Sequence, residues 1–126
     1  MYAVWFKAGC QTQIIAPSGI RILGALERTA QVLGHDLVIT CGSDSHGPDD
    51  PHTKGQAFDV RSHDLTPAQK VTLLNAMMQA LCGNAPDVVQ PKDGGFVTQH
   101  FFGWLEHAGE DTEHFHFQQR NGVVYP

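Results

Sequence analysis

The chain has 126 residues, 41% of them hydrophobic and 17% charged, with a formal net charge of -5. That length suits one domain with its own core and is short for two, and the charged share is too low for a disordered chain. The acidic balance excludes sequence-independent nucleic-acid binding, which needs a basic face.

At the N-terminus, Lys7, Gln11, Thr12 and Gln13 interrupt what apolar character residues 1–16 have. Neither a signal peptide nor a membrane span is expected there. A first helix is predicted with Ser18 as its cap, Leu23, Leu26, Ala30 and Leu33 on one stripe and Gly34 as its stop. Leu37 to Thr40 reads as a short strand leaving into a Gly/Asp/Pro-rich loop, and Ala57 to Val60 as another.

A second helix opens at Thr66-Pro67, with Gln69 placed to close a capping box. Its stripe is Val71, Leu74, Met78 and Leu81, and Gly83 ends it. Val88 to Gln90 and Phe96 to Gln99 are strand candidates around a Gly-rich turn, while Phe101, Phe102 and Trp104 are expected in the core. His114 to Gln119, Asn121-Gly122 and Val123 to Tyr125 read as a hairpin. Helices and hairpins without βαβ regularity point to an α+β domain with a mostly antiparallel sheet flanked by helices. Cys10, Cys41 and Cys82 are widely spaced and include no Cys-x-x-Cys pair, so they are read as small buried hydrophobes.

Eight histidines, as many as all Lys and Arg together, draw attention to metal and acid–base chemistry. In the segment His52-Thr53-Lys54-Gly55-Gln56-Ala57-Phe58-Asp59, Gly55 permits a sharp turn before the strand. Ala57 and Asp59 then share one strand face, with room beside the carboxylate for an ion, and the turn can bring the His52 ring back over Asp59. In Glu113-His114-Phe115-His116-Phe117-Gln118, alternation puts His114, His116 and Gln118 on one face, with Phe115 and Phe117 toward the core. Two imidazoles and a carboxylate make a three-ligand set for zinc with a fourth position left for water, whose pKa the metal lowers to about 7. Such chemistry needs a proton-shuttling base, and Glu113 is the carboxylate nearest the cluster in sequence.

The pattern His52-x-x-Gly55-x-Ala57-x-Asp59 followed by Glu113-x-x-His116 resembles the zinc D-Ala-D-Ala carboxypeptidase and dipeptidase family. That family includes phage L-alanyl-D-glutamate endolysins and shares its fold with the Hedgehog signalling domain. The resemblance spans roughly Ile39 to Gln118. It implies a single zinc peptidase-like domain over 1–126, with His52, Asp59 and His116 as zinc ligands and Glu113 as catalytic base. The implied substrate is a peptidoglycan stem peptide, cut by a carboxypeptidase or an endolysin-like endopeptidase. A protein made without a signal peptide would reach the cell wall by release or another export route. The alternative is a non-catalytic zinc-stabilised binding module of the same fold.

Two departures from the family pattern bear on the mechanism. Asp50 stands where many relatives have Ser, and Cys41-Gly42-Ser43-Asp44 replaces a Ser-Gly-Tyr-Arg segment whose Arg holds the oxyanion. His46 is the candidate substitute, Arg61 is next, and His114 is a candidate substrate contact or support for the ligands. Residues three apart in an ideal strand face opposite sides, so Glu113 must precede the regular pairing or lie at a bulge. Glu106 is the second candidate base.

Overall fold

The computed structural model describes residues 1–10, 15–41, 51–52, 54–82 and 94–125. Its elements, in order, are β1 (Val4–Phe6), α1 (Pro17–Leu33), β2 (Leu37–Cys41), β3 (Ala57–Arg61), α2 (Pro67–Cys82), β4 (Gly95–Val97), β5 (Phe101–Glu106) and β6 (His114–Gln119). The chain is therefore α+β, with one mixed six-stranded sheet in the order β1-β2-β3-β6-β5-β4. Only β1 and β2 pair in parallel; the other neighbours are antiparallel.

Pro17 starts α1 with its φ already suited to a helix, behind an extended Ala16 that makes no side-chain cap. Ser18, the expected cap, lies inside the helix and is buried, because the helix starts two residues earlier, at Pro17 with Ala16 in the cap position. Gly34, with φ 64°, ends the helix as expected, its N–H donating to Gln31 O. The buried face of α1 is Ile22, Ala25, Leu26, Thr29 and Ala30, while Leu23 and Leu33 pack at its margin. The capping box of α2 is complete: Gln69 N–H donates to Thr66 Oγ1 at 3.1 Å and Thr66 N–H to Gln69 Oε1 at 2.9 Å. Its buried line is Leu73, Met77 and Leu81, rotated from the expected stripe so that Val71 faces solvent. Gly83 and Val88 to Gln90 lie outside the described residues.

Both helices pack their buried residues into one apolar cluster with Leu37, Ile39, Phe58, Val60, Phe96, Phe101, Phe115 and Phe117. In register, Phe58 opposes Phe117 and Val60 opposes Phe115, so the central strands give one face to this core. The helices thus cover one side of the sheet, and strand alternation turns Asp59, His114, His116 and Gln118 to the other. Two strands were not foreseen. β1 is three residues long, and β5 carries apolar side chains on both faces around Gly103, which hides its period. Trp104 consequently leaves the core: it sits opposite His116 on the polar face and is 43% exposed. The expected hairpin is also corrected. β6 is paired on both edges, by β3 and β5, so Val123 to Tyr125 has no edge to join, and Asn121-Gly122 forms a turn into irregular chain. Among the described residues, no helix is long and apolar enough to cross a membrane.

Candidate metal centre

The site is built on the two central strands of the sheet. Asp59 and His116 are directly opposed in the β3–β6 register, which sets two candidate ligands side by side on rigid backbone. His52 comes from outside the sheet and is folded back by a short turn. Gly55 N–H donates to His52 O at 3.0 Å and Gln56 N–H to Pro51 O at 2.9 Å, with Gly55 at φ 70°. The turn is pinned to the start of α1, where Ala16 N–H donates to Gly55 O at 3.1 Å. Gly19 allows that approach, since a Cβ there would collide with Gly55 O.

The result is a tight triad. His52 Nε2 is 3.3 Å from Asp59 Oδ1 and 3.3 Å from His116 Nδ1, and His116 Nδ1 is 2.9 Å from Asp59 Oδ1. Around an ion with bonds of about 2.0–2.1 Å, neighbouring ligand atoms of a tetrahedron lie about 3.3–3.4 Å apart. Two edges match that spacing and the third is slightly shorter, so the three donor atoms fit a zinc-sized ion. His52, Asp59 and His116 form the one such metal-competent group among the described residues.

Both the charge state and the tautomer are controlled. Burial opposes ionisation of Asp59 more than any other single influence. The hydrogen bonds and charges of His116 and His52 together outweigh it and hold the carboxyl below the usual range. Burial likewise works to discharge His116, but its hydrogen bonds to Asp59 and Gln118 and the charges of Asp59 and Glu106 raise its pKa. Gln118 Nε2 donates to Gln119 O at 3.0 Å and Asn121 Oδ1 at 3.3 Å, which turns its Oε1 toward His116 Nε2 at 2.7 Å. His116 Nε2–H therefore donates to that oxygen, and Nδ1 is the nitrogen presented to Asp59 and His52. The Phe102 and Trp104 rings stand together beside the His116 ring, at centroid distances of 6.0 and 6.2 Å.

A groove of about 410 Å³ opens beside Asp59, with Lys7, Thr40, Arg61, His63, Glu113 and His114 among its walls. Arg61 lies directly opposite His114 across the β3–β6 pair. His114 Nε2 is 3.0 Å from Glu106 Oε2 and 3.7 Å from Asp59 Oδ1. Glu113 borders the groove, yet its carboxylate is occupied. Lys70 Nζ and Ser62 Oγ donate to Oε1 at 2.6 and 2.7 Å, and Gly109 N–H donates to Oε2 at 2.8 Å. Lys70 above all, with Gly109 and Ser62, lowers its pKa to about 2.

The structure thus brings together His52, Asp59, His116, His114 and Arg61 from the sequence-derived set, while His46 lies outside the described residues. His52, expected at the end of an exposed loop, is 5% exposed. Sequence reasoning gave no role to Gln118, although alternation from His116 already placed it on the site face. Lys70 carried no signal, because only the packing of α2 brings it to Glu113. Comparison with family models, curated proteins and solved structures finds no match to this chain.

Proposed function

We propose that the protein is a zinc-dependent peptidase that hydrolyses amide bonds in peptidoglycan stem peptides, with a sheet arranged as in the Hedgehog and DD-peptidase fold. The observation that carries the reading is the triad itself: two imidazole nitrogens and one carboxylate oxygen, 2.9–3.3 Å apart, beside an open groove. Three protein ligands with an accessible fourth position are the arrangement of catalytic rather than structural zinc. His52, Asp59 and His116 would hold the ion, which supplies a Lewis acid that activates water at neutral pH. Gln118 fixes the His116 tautomer, and Arg61 and Lys7 in the groove wall offer cations to a peptide carboxylate or a developing oxyanion. The groove has room for a short peptide segment, consistent with either a carboxypeptidase or an endopeptidase. Such a protein acts on the cell wall after release or export.

One observation favours a second reading, a non-catalytic zinc-stabilised binding module. The carboxylate that the motif nominates as base, Glu113, is neutralised by Lys70. Digestion of purified peptidoglycan by the zinc-loaded protein, with mass analysis of the products, separates the two. Release of D-Ala or of stem-peptide fragments supports the peptidase. Zinc binding without any cleavage product supports the module.

A further inference from the structure

We propose that Glu106, and not Glu113, is the carboxylate that moves protons at the reacting centre, with His114 as its positioning partner; this rests on the peptidase reading above. In the β5–β6 pair Glu106 opposes His114 and Trp104 opposes His116, so Trp104 and Glu106 project on the same side of the sheet as the metal triad. Glu113, one residue before β6, has the parity of Phe115 and Phe117 and, although it borders the groove, gives its carboxylate to Lys70 of α2.

Contacts agree with parity. Glu106 Oε1 is 4.0 Å from His116 Nδ1, and Oε2 is 3.0 Å from His114 Nε2. Trp104 Nε1–H donates to Glu106 Oε1 at 2.7 Å, and the His114 ring is anchored through Nδ1, 2.8 Å from Thr112 O. The Glu106 carboxylate is thus held from two sides, by the Trp104 indole and the His114 ring. With 28% of its side chain exposed, Glu106 is open to water, whereas Glu113 is 7% exposed and bound by three donors.

The chemistry balances with water as the only co-reactant. The water oxygen adds to the carbonyl carbon, and the C–N bond breaks with its electron pair leaving on nitrogen. Glu106 takes one water proton and delivers it to that nitrogen, giving a carboxyl product and an amine. His114 holds the carboxylate in place throughout.

The test compares Glu106→Gln and Glu113→Gln with the unaltered protein, each zinc-loaded and checked for melting temperature and zinc content. Two readouts are taken: turnover of peptidoglycan, and affinity for acetohydroxamate, a metal-binding probe that gives up a proton to a neighbouring carboxylate. For Glu106→Gln the expected result is full zinc occupancy, kcat lower by about 100-fold to 10,000-fold and acetohydroxamate binding weaker by about tenfold or more. Unchanged kcat and probe affinity in Glu106→Gln would overturn the proposal. So would loss of turnover in Glu113→Gln alone with zinc retained. If the unaltered protein cleaves nothing, the peptidase reading fails, and acetohydroxamate affinity alone then decides whether Glu106 faces the metal.

Discussion

Gln118 Oε1 stands 2.7 Å from His116 Nε2, and the Gln118 amide nitrogen is itself fixed by Gln119 O and Asn121 Oδ1. The acceptor selects which nitrogen of His116 is free for a metal, so a residue that would not itself bind the ion would tune its affinity. Replacing Gln118 with Leu removes the acceptor at similar bulk and should weaken zinc binding about 10-fold to 100-fold in a chelator-competition titration. Gln118→Glu keeps an acceptor oxygen and should restore most of the affinity. Equal affinity in the Leu variant would show that His116 needs no such partner.

Lys70 and Glu113 form a second buried relationship, one of stability. Removing the ammonium with Lys70→Met leaves the carboxylate with only Ser62 and Gly109. Breaking a buried pair costs about 3–5 kcal/mol, and since 22% of the Lys70 side chain is exposed the loss should fall at or below the low end. Urea unfolding at pH 7 measures it. An unchanged midpoint would mean the pair contributes no net stability.

The same pair predicts a pH dependence. Folding lowers the Glu113 pKa from 4.5 to about 2, so the contribution is fully present above 4.5 and is lost as pH falls toward 2. Melting temperature followed from pH 6 down to pH 2 should drop less steeply in Glu113→Gln than in the unaltered protein across that window. Parallel curves would contradict the assignment.

Gly19 and Gly55 supply a test of how the third candidate ligand, His52, is placed. A methyl at Gly19 would collide with the Gly55 carbonyl, whereas one at Gly24 meets nothing within 4 Å. Gly19→Ala should therefore cost about 1–3 kcal/mol and also weaken zinc binding, because the displaced turn carries His52. Gly24→Ala, in the same helix, should be neutral or stabilising by about 0.5–1 kcal/mol. Thermal melts with and without zinc distinguish these outcomes, and a Gly19→Ala protein with full affinity would detach His52 from α1.

These residues also show what could be read before the fold was known. The alternation of His114, Phe115, His116 and Phe117 carries its own two-residue period, and the Thr66–Gln69 capping box is local, so both were legible. The triad was legible because Asp59 and His116 lie on strands whose polar faces could be assigned separately. The β5 strand was not, since Phe-Phe-Gly-Trp-Leu-Glu has no polar alternation. Missing β5 hid both the exposure of Trp104 and the approach of Glu106. The Lys70–Glu113 pair depends on how α2 lies against the entry to β6, which no local pattern encodes. Pairing of β6 on both edges likewise overrode the strong Asn121-Gly122 hairpin signal.

Diffraction at the zinc absorption edge, from crystals grown with zinc, tests the central claim most directly. A single anomalous peak should lie about 2.0–2.1 Å from His52 Nε2 and His116 Nδ1, with Asp59 Oδ1 also bonded and a fourth position facing the groove. A peak bonded by other side chains, or none at the triad under saturating zinc, would contradict the account.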